Sequence, residues 1–285
     1  MVENTNPLSK YYRQPSIYIK LPSQGRYYPS NVFTPTETGE IPVLPMTAKD
    51  EMAFKTPDAM INGQATVDVI KSCVPNLKDP WKMVNYDTDT VLLAIRIATY
   101  GETMSINYTV PITGEAQEHT VNLPALLEVA GKAIIEDYAT TSKGFKIKIQ
   151  PLNYKTLTKI QIARFEQQKI YGTIDNSELT ADEKQSAFAK SFETLNAVNF
   201  SLLLDSISEL TTPDGETVTD RLQIIEFCNK ADTKTITEIQ DKLSALRVQA
   251  QIPPIKIKAT DEQIKKGVPA TFPVPLTFDN SNFFA

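Results

Sequence analysis

Cysteine is nearly missing from this chain. Its 285 residues hold two, Cys73 and Cys228. Two thiols so far apart make neither a disulfide framework nor a four-ligand zinc site. They are expected as buried, reduced side chains. Histidine is scarcer still, with His119 alone. A serine or cysteine nucleophile needs a positioned base, and nothing in the sequence converges on this histidine, which reads as an exposed position on a strand. Long apolar runs are absent too. The longest apolar-rich stretch, Thr90 to Tyr100, is 11 residues and includes Arg96, against roughly 20 needed to cross a bilayer. No apolar h-region opens the chain, so no secretory signal is expected. A soluble protein made and used in a cytoplasm is expected, with no membrane partner.

The missing motifs narrow the chemistry further. No GxGxxG, Walker loop, HExxH or EF-hand pattern occurs, and no cofactor or metal is expected. Asp87 and Asp89 stand at the start of a helix, where capping explains them. Asp205 and Glu209 read as i,i+4 neighbours on a solvated helix face. A pair of carboxylates from distant parts of the chain could still act as in a glycosidase, so a cell-wall hydrolase stays as the alternative function. Net charge is −5. That balance offers no general attraction to phosphates, and nucleic-acid binding is the weakest of the three readings.

What is present is uneven. Eight of 19 prolines lie in the first 57 residues, five in the last 33, and six in the 195 between. Proline blocks helix interiors and favours extended chain. The expected class is therefore α+β, predominantly α: a helical body with a small β-hairpin region and extended N- and C-terminal arms. The boundaries read as an arm with a short strand over 1–46, a helical block plus hairpin over 47–150, a helical domain over 151–252 and a second arm over 253–285.

Within the first arm, SIYIKLP alternates like a strand. LPSQGRYYPSN follows, with Gly25 suited to a turn and Arg26, Tyr27 and Tyr28 leaving it. LPSQG has Gln24 where the LPxTG sorting signal has threonine, and it lacks that signal's context, so that reading is rejected. TAKDEMAFKT begins a helix at Thr47, with Asp50 three residues on. A second helix carries Val67, Ile70 and Val74 on one face. YDTDTVLLAIRIATYG is apolar on nearly all sides and should be central to the core. Arg96 interrupts it and is expected in a buried ion pair with Glu51, Asp58 or Asp68.

MSINYTVPITGEAQEHTVNL reads as a hairpin turning at Pro111 to Gly114, and GFKIKIQPL alternates again. YKTLTKIQIARFEQQKIY should be a helix stopping at Gly172. ADEKQSAFAKSFETLNAVNFSLLLDSISEL should be one helix, opened by a Thr180–Glu183 capping box and lined by Phe188, Phe192, Leu195 and Leu202. TKTITEIQDKLSALRVQA places Ile236, Ile239, Leu243 and Leu246 together. The C-terminal arm sets Phe272, Val274, Leu276 and Phe278 on one face and Pro273 and Pro275 on the other, as an edge strand would. It ends in Phe283 and Phe284. Arg26, Tyr27, Tyr28, Phe272, Phe278, Phe283 and Phe284 are the candidate interaction residues, docking either on this chain or on a partner.

Several of these stretches together carry a resemblance. LPSQGRYYP, LPMTAKDEMAFKTPDAMINGQATVDVIKSCVPNLKDPW, YDTDTVLLAIRIATYGE and LTFDNSNFFA resemble the baseplate protein family of T-even-type contractile-tailed (myovirus) bacteriophages, described as baseplate hub subunits or hub assembly factors. The resemblance covers most of residues 17 to 102. It resumes in PLNYKTLTKIQIARFEQQKIY, in the PDG segment and at the C-terminus. It implies a non-enzymatic structural or assembly role at the central hub of a tail baseplate, in the host cytoplasm during assembly and then in the virion tail or released from it. The implied partners are other baseplate hub or tail proteins, with a homo-oligomer left open. Some members of the family carry closely spaced cysteine pairs, like zinc ribbons, at the hairpin and near the C-terminal arm. TVPITGEAQEH and IKIKATDEQIKKGVPATF have none, so both segments should be held without metal.

Overall fold

A computed structural model describes residues 6–54, 62–175, 180–248, 251–276 and 283. Helices take 49% of the chain and strands 19%, in nine helices and four small sheets among the described residues. This corrects the expected class: the fold is mixed α/β, with helices only somewhat dominant. The reason is that both proline-rich ends fold back on their own chain. β1 (Ile17–Lys20) pairs antiparallel with β2 (Glu40–Val43), Ile19 opposite Ile41. β9 (Ile255–Lys258) pairs with β10 (Thr271–Val274), Phe272 opposite Ile257. Neither end is an extended arm.

The chain divides into two compact units. One comprises residues 1–80, 86–132 and 252–285, the other 81–85 and 133–251.

In the first unit, α1 (Ala48–Phe54) starts as its sequence dictates. Asp50 Oδ2 accepts from the Thr47 backbone N–H at 2.8 Å, while Thr47 Oγ1 accepts from the Asp50 N–H at 3.3 Å. α2 (Gln64–Cys73) follows Gly63, whose φ of 76° suits glycine. It buries Val67, Val69 and Ile70. α3 (Asn85–Tyr100) buries 11 of its 16 residues, including Leu93 and Ile95 at 0% exposure. β3 (Thr103–Thr109) and β4 (Ala116–Asn122) form the hairpin, turning through Ile112 and Gly114, both at φ 70°. α4 (Leu123–Gly131) is capped by Asn122, whose side chain accepts the Ala125 N–H. The short α9 (Asp261–Lys265) lies between β9 and β10, with a capping box of Thr260 and Gln263.

The second unit is built on a four-stranded antiparallel sheet in the order β5-β6-β7-β8. Its strands are β5 (Tyr138–Thr140), β6 (Lys146–Ile149), β7 (Ile207–Thr211) and β8 (Thr217–Val218). Ile147, Ile149 and Ile207 pack with Leu203 of α6 (Ala181–Asp205), with Ile224 and Cys228 of α7 (Arg221–Lys230), and with Ile239, Leu243 and Leu246 of α8 (Thr233–Val248). α5 (Tyr154–Asp175) runs against α6.

Three sequence-based expectations change here. The DSISEL segment is not the end of a helix: α6 stops at Asp205, and Glu209 lies on β7 opposite Lys148. Ile207 and Leu210, three apart, fit a helix stripe as well as they fit this bulged strand, and only the pairing with β6 decides between them. α5 passes through Gly172 to Asp175, since one glycine costs a helix only about 1 kcal/mol. The apolar face expected on α6 is only partly covered: Phe188 stacks on Tyr171 but is 36% exposed, and Phe192 is 62% exposed.

Candidate interaction surfaces

The turn LPSQGRYYP is held from inside the molecule. Leu21, Pro22 and Ser23 are buried. Three overlapping turns follow: Gln24 N–H to Leu21 O at 2.9 Å, Arg26 N–H to Ser23 O at 3.1 Å and Tyr28 N–H to Gly25 O at 3.4 Å. Gln24 and Gly25 both take left-handed φ, 54° and 76°. A Cβ on Gly25 would stand 2.9 Å from the Phe33 ring, so glycine is required twice over, by conformation and by space.

The anchor is Asp87 on the first turn of α3, fully buried. Its carboxylate accepts the Ser23 backbone N–H at 2.9 Å, the Ser23 hydroxyl, and the Tyr28 hydroxyl at 2.8 Å. Burial pushes its carboxyl up to about 6, against the opposing effect of the Ser23 and Tyr28 hydrogen bonds. The capping role expected of Asp87 is corrected: α3 already starts at Asn85, and Asp87 is a latch on a segment 64 residues earlier. The signal in the sequence was a carboxylate on a helix apolar nearly all round, which must find donors. Asp89 is half-buried, and burial raises its carboxyl to about 7.

Of the three candidates leaving this turn, Tyr28 lies against Phe33 with centroids 5.7 Å apart, and Tyr27 meets Tyr86 edge-on at 6.4 Å. Both tyrosines are half-buried, whereas Arg26 is exposed. The Arg26 guanidinium lies 5.4 Å from the Tyr27 ring centroid, and its Nε donates to Ser23 O at 3.3 Å.

A second anchor was not foreseen. Arg13 Nη1 donates to Pro45 O at 2.6 Å and to Asp50 Oδ2 at 3.2 Å, and Nη2 donates to Ser72 O at 2.8 Å and Ser72 Oγ at 2.7 Å. One guanidinium thus joins the segment before β1 to α1 and α2, with the multi-point geometry that arginine allows. Cys73 sits beside it at 0% exposure, and burial foremost pushes its thiol up to about 12.

At the other end, Phe272 is buried on β10 and packs on Tyr108 of the hairpin at 5.9 Å. Lys266 reaches Glu115 at 3.0 Å. An aromatic contact and an ion pair therefore join the hairpin to the C-terminal segment, neither of which contains a cysteine. Phe283 is 1% exposed. Phe278 and Phe284 lie outside the described residues. So does Asp58, one of the carboxylates offered for Arg96.

Arg96 is 7% exposed. Its guanidinium lies 4.4 Å from the Tyr100 centroid, and Tyr100 in turn donates to Glu51 at 3.1 Å. Nε and Nη1 make no hydrogen bond among the described residues. Burial lowers its pKa. Asp68 accepts instead from Gln64 at 2.8 Å. His119 is half-buried on β4 opposite Ile106.

Two stretches of the sequence carry several exposed apolar side chains each. Leu8, Tyr11 and Tyr12 of the N-terminal segment, with Tyr18 on β1, are 57–75% exposed. Phe165, Ile170, Phe188 and Phe192 of the α5–α6 pair are 36–62% exposed. No helix among the described residues is long and apolar enough to cross a membrane.

No curated protein and no solved structure matches the chain. A family model described as T4 bacteriophage base plate protein matches residues 15–276, spanning both units, the Asp87 latch and the C-terminal sheet. The chain belongs to that family of phage base plate proteins.

Proposed function

We propose that this protein is a non-enzymatic structural or assembly component of the baseplate's central hub, working through protein–protein contacts. Its partners are other hub or tail proteins, met in the host cytoplasm as the baseplate forms. The observation that carries the reading is the exposure of three tyrosines in the N-terminal segment, Tyr11 at 75%, Tyr18 at 62% and Tyr12 at 57%. Exposed tyrosines are enriched at protein interfaces relative to the rest of the surface.

Docking on this reading uses a preformed surface, because the ends that would otherwise order on a partner are already paired with their own chain. Less chain then has to order on binding, so less ordering entropy opposes it. Replacing Tyr11 and Tyr12 by serine tests it. Baseplates made with that variant should lack a normal hub, while the purified variant keeps its thermal stability. Normal hubs would overturn the reading, as would cell-wall digestion by the purified protein that vanishes on replacing one carboxylate. Mass spectrometry of mature virions separates a resident subunit from a departing assembly factor.

A further inference from the structure

We propose that a cavity between α6 and α8 is a carboxylate-binding site built around the Arg247 guanidinium, and that it takes an acidic side chain of a protein partner. The inference stands on the cavity's own side chains and not on the hub reading.

The cavity measures about 160 Å³ and lies wholly within the second unit. Its apolar wall is Leu202 and Leu203 of α6 with Leu243 of α8. Its polar side chains are Asn199, Gln240, Ser244 and Arg247. Gln240, Leu243, Ser244 and Arg247 are three or four apart along α8, so they share one face. Asn199, Leu202 and Leu203 do the same on α6.

Arg247 is half-buried. Its Nη2 donates to Ser206 Oγ just past the end of α6, where a positive charge suits the helix dipole. That contact uses one of the five N–H donors of a guanidinium. Nε and Nη1 make no hydrogen bond among the described residues, and no carboxylate there pairs with the group. Burial lowers its pKa, and no neighbouring charge acts the other way. Acids near in sequence are used or placed elsewhere. Asp205 pairs with Arg221 and lines a different cavity together with Lys159. Glu238 accepts from the Ser142 hydroxyl at 2.7 Å. Asp241, six residues before Arg247, is exposed at the border of the α8 face.

The remaining polar groups add donors. Asn199 Oδ1 is taken by Arg164 Nη2 at 2.9 Å, which leaves the Asn199 amide N–H groups for a ligand and brings a second positive charge to the rim. Gln240 and Ser244 are exposed, and each can donate. A cation among neutral donors, with no acid facing it, is built to receive an anion.

The class of anion follows from the walls. A guanidinium fork matches a carboxylate with two parallel hydrogen bonds, and three leucines beside it suit a methylene stem. The cavity is smaller than the roughly 300–1,000 Å³ of sites for larger ligands. A nucleic-acid strand needs cations repeated along its path, and Lys242 turns away from the α8 face. Asn199, Gln240 and Ser244 are exposed, so the mouth is open and the rest of the ligand lies outside. A glutamate side chain projecting from another chain has that shape.

NMR titration of the isotope-labelled protein with propionate, a glutamate side chain without its backbone, tests this. The Arg247 Nε–H resonance and the side-chain amides of Asn199 and Gln240 should shift together and saturate. Glutamate blocked at both backbone ends should move the same resonances, and inorganic phosphate should bind more weakly. Arg247→Gln should weaken propionate at least about tenfold, the scale of one hydrogen bond to a charged group. Lys159→Gln at the other cavity should bind like the wild type. Should Arg247→Gln misfold by circular dichroism, the exposed pair Gln240→Ala with Ser244→Ala should weaken propionate at least about twofold. An Arg247 Nε–H that propionate does not move overturns the proposal, as does phosphate binding more tightly than propionate. So does a folded Arg247→Gln variant, or the double alanine variant, that binds as well as the wild type. Propionate binding without a response to the blocked glutamate overturns the assignment to a partner's side chain.

Discussion

Helix α3 buries 11 of its 16 residues, whereas α6, with 25, buries only Ser191 and Leu203 among those described. Both are long and carry several large apolar side chains. α3 is enclosed by its own unit, and even its carboxylate at position 87 is used internally, on the Ser23 and Tyr28 donors. Among the described residues, α6 is fastened to the sheet near its C-terminal end by Leu203, with the Arg221–Asp205 ion pair at 2.6 Å beside it. Its outer turns meet α5 and leave the Phe192 ring exposed. Burial of a ring stabilises by roughly 1.5–3 kcal/mol. An enclosed helix has collected that within the chain. An exposed one has not.

The contrast gives an ordered set of expectations. Leu93→Ala in α3 should cost about 2–5 kcal/mol, read as a lowered urea midpoint, while Phe192→Ala should stay within about 0.5 kcal/mol. Equal losses would erase the distinction. Asp87→Ala strands the Ser23 N–H, the Ser23 hydroxyl and the Tyr28 hydroxyl, and should cost about 1–3 kcal/mol or more. Gly25→Ala forces a side chain into left-handed backbone and against Phe33, for a loss of about 1 kcal/mol or above, read as a lowered melting temperature.

The smallest effect is one of pH. The folded carboxyl of Asp87 is raised from its ordinary value of 3.8 to about 6, so the native state holds this proton more tightly than the unfolded state. The stabilisation is complete below about 3.8 and is lost as pH rises to about 6. Asp89 acts in the same sense up to about 7. Asp87→Asn cannot titrate, so its stability should fall less than that of the wild type between pH 4 and 6. Parallel pH profiles would remove Asp87 from the account.

Much of the local structure was legible in the sequence. The Thr180–Glu183 capping box opens α6 as its spacing dictates, the hairpin turns within Pro111 to Gly114, and Ile147 with Ile149 marks a buried strand face. What was not legible depends on distant pairing. Nothing near Ile17 announces Val43 as its partner, and Leu210 becomes a strand residue only because Ile147 lies opposite. The LPSQGRYYP turn could be read as a turn, but its fastening to Asp87, 64 residues on, could not. The exposure of part of α6 was not legible either, for the opposite reason. Phe188 and Phe192 have the helix spacing of core residues, and spacing alone does not say whether their own chain covers them.

Hydrogen exchange on the protein tests the central contrast most directly. Amides of α3 should exchange slowly, because that helix is enclosed by its own chain. Amides over 161–172 and 185–199, on turns that leave aromatic rings exposed, should exchange faster. α3 exchanging as fast as α6 would contradict the account.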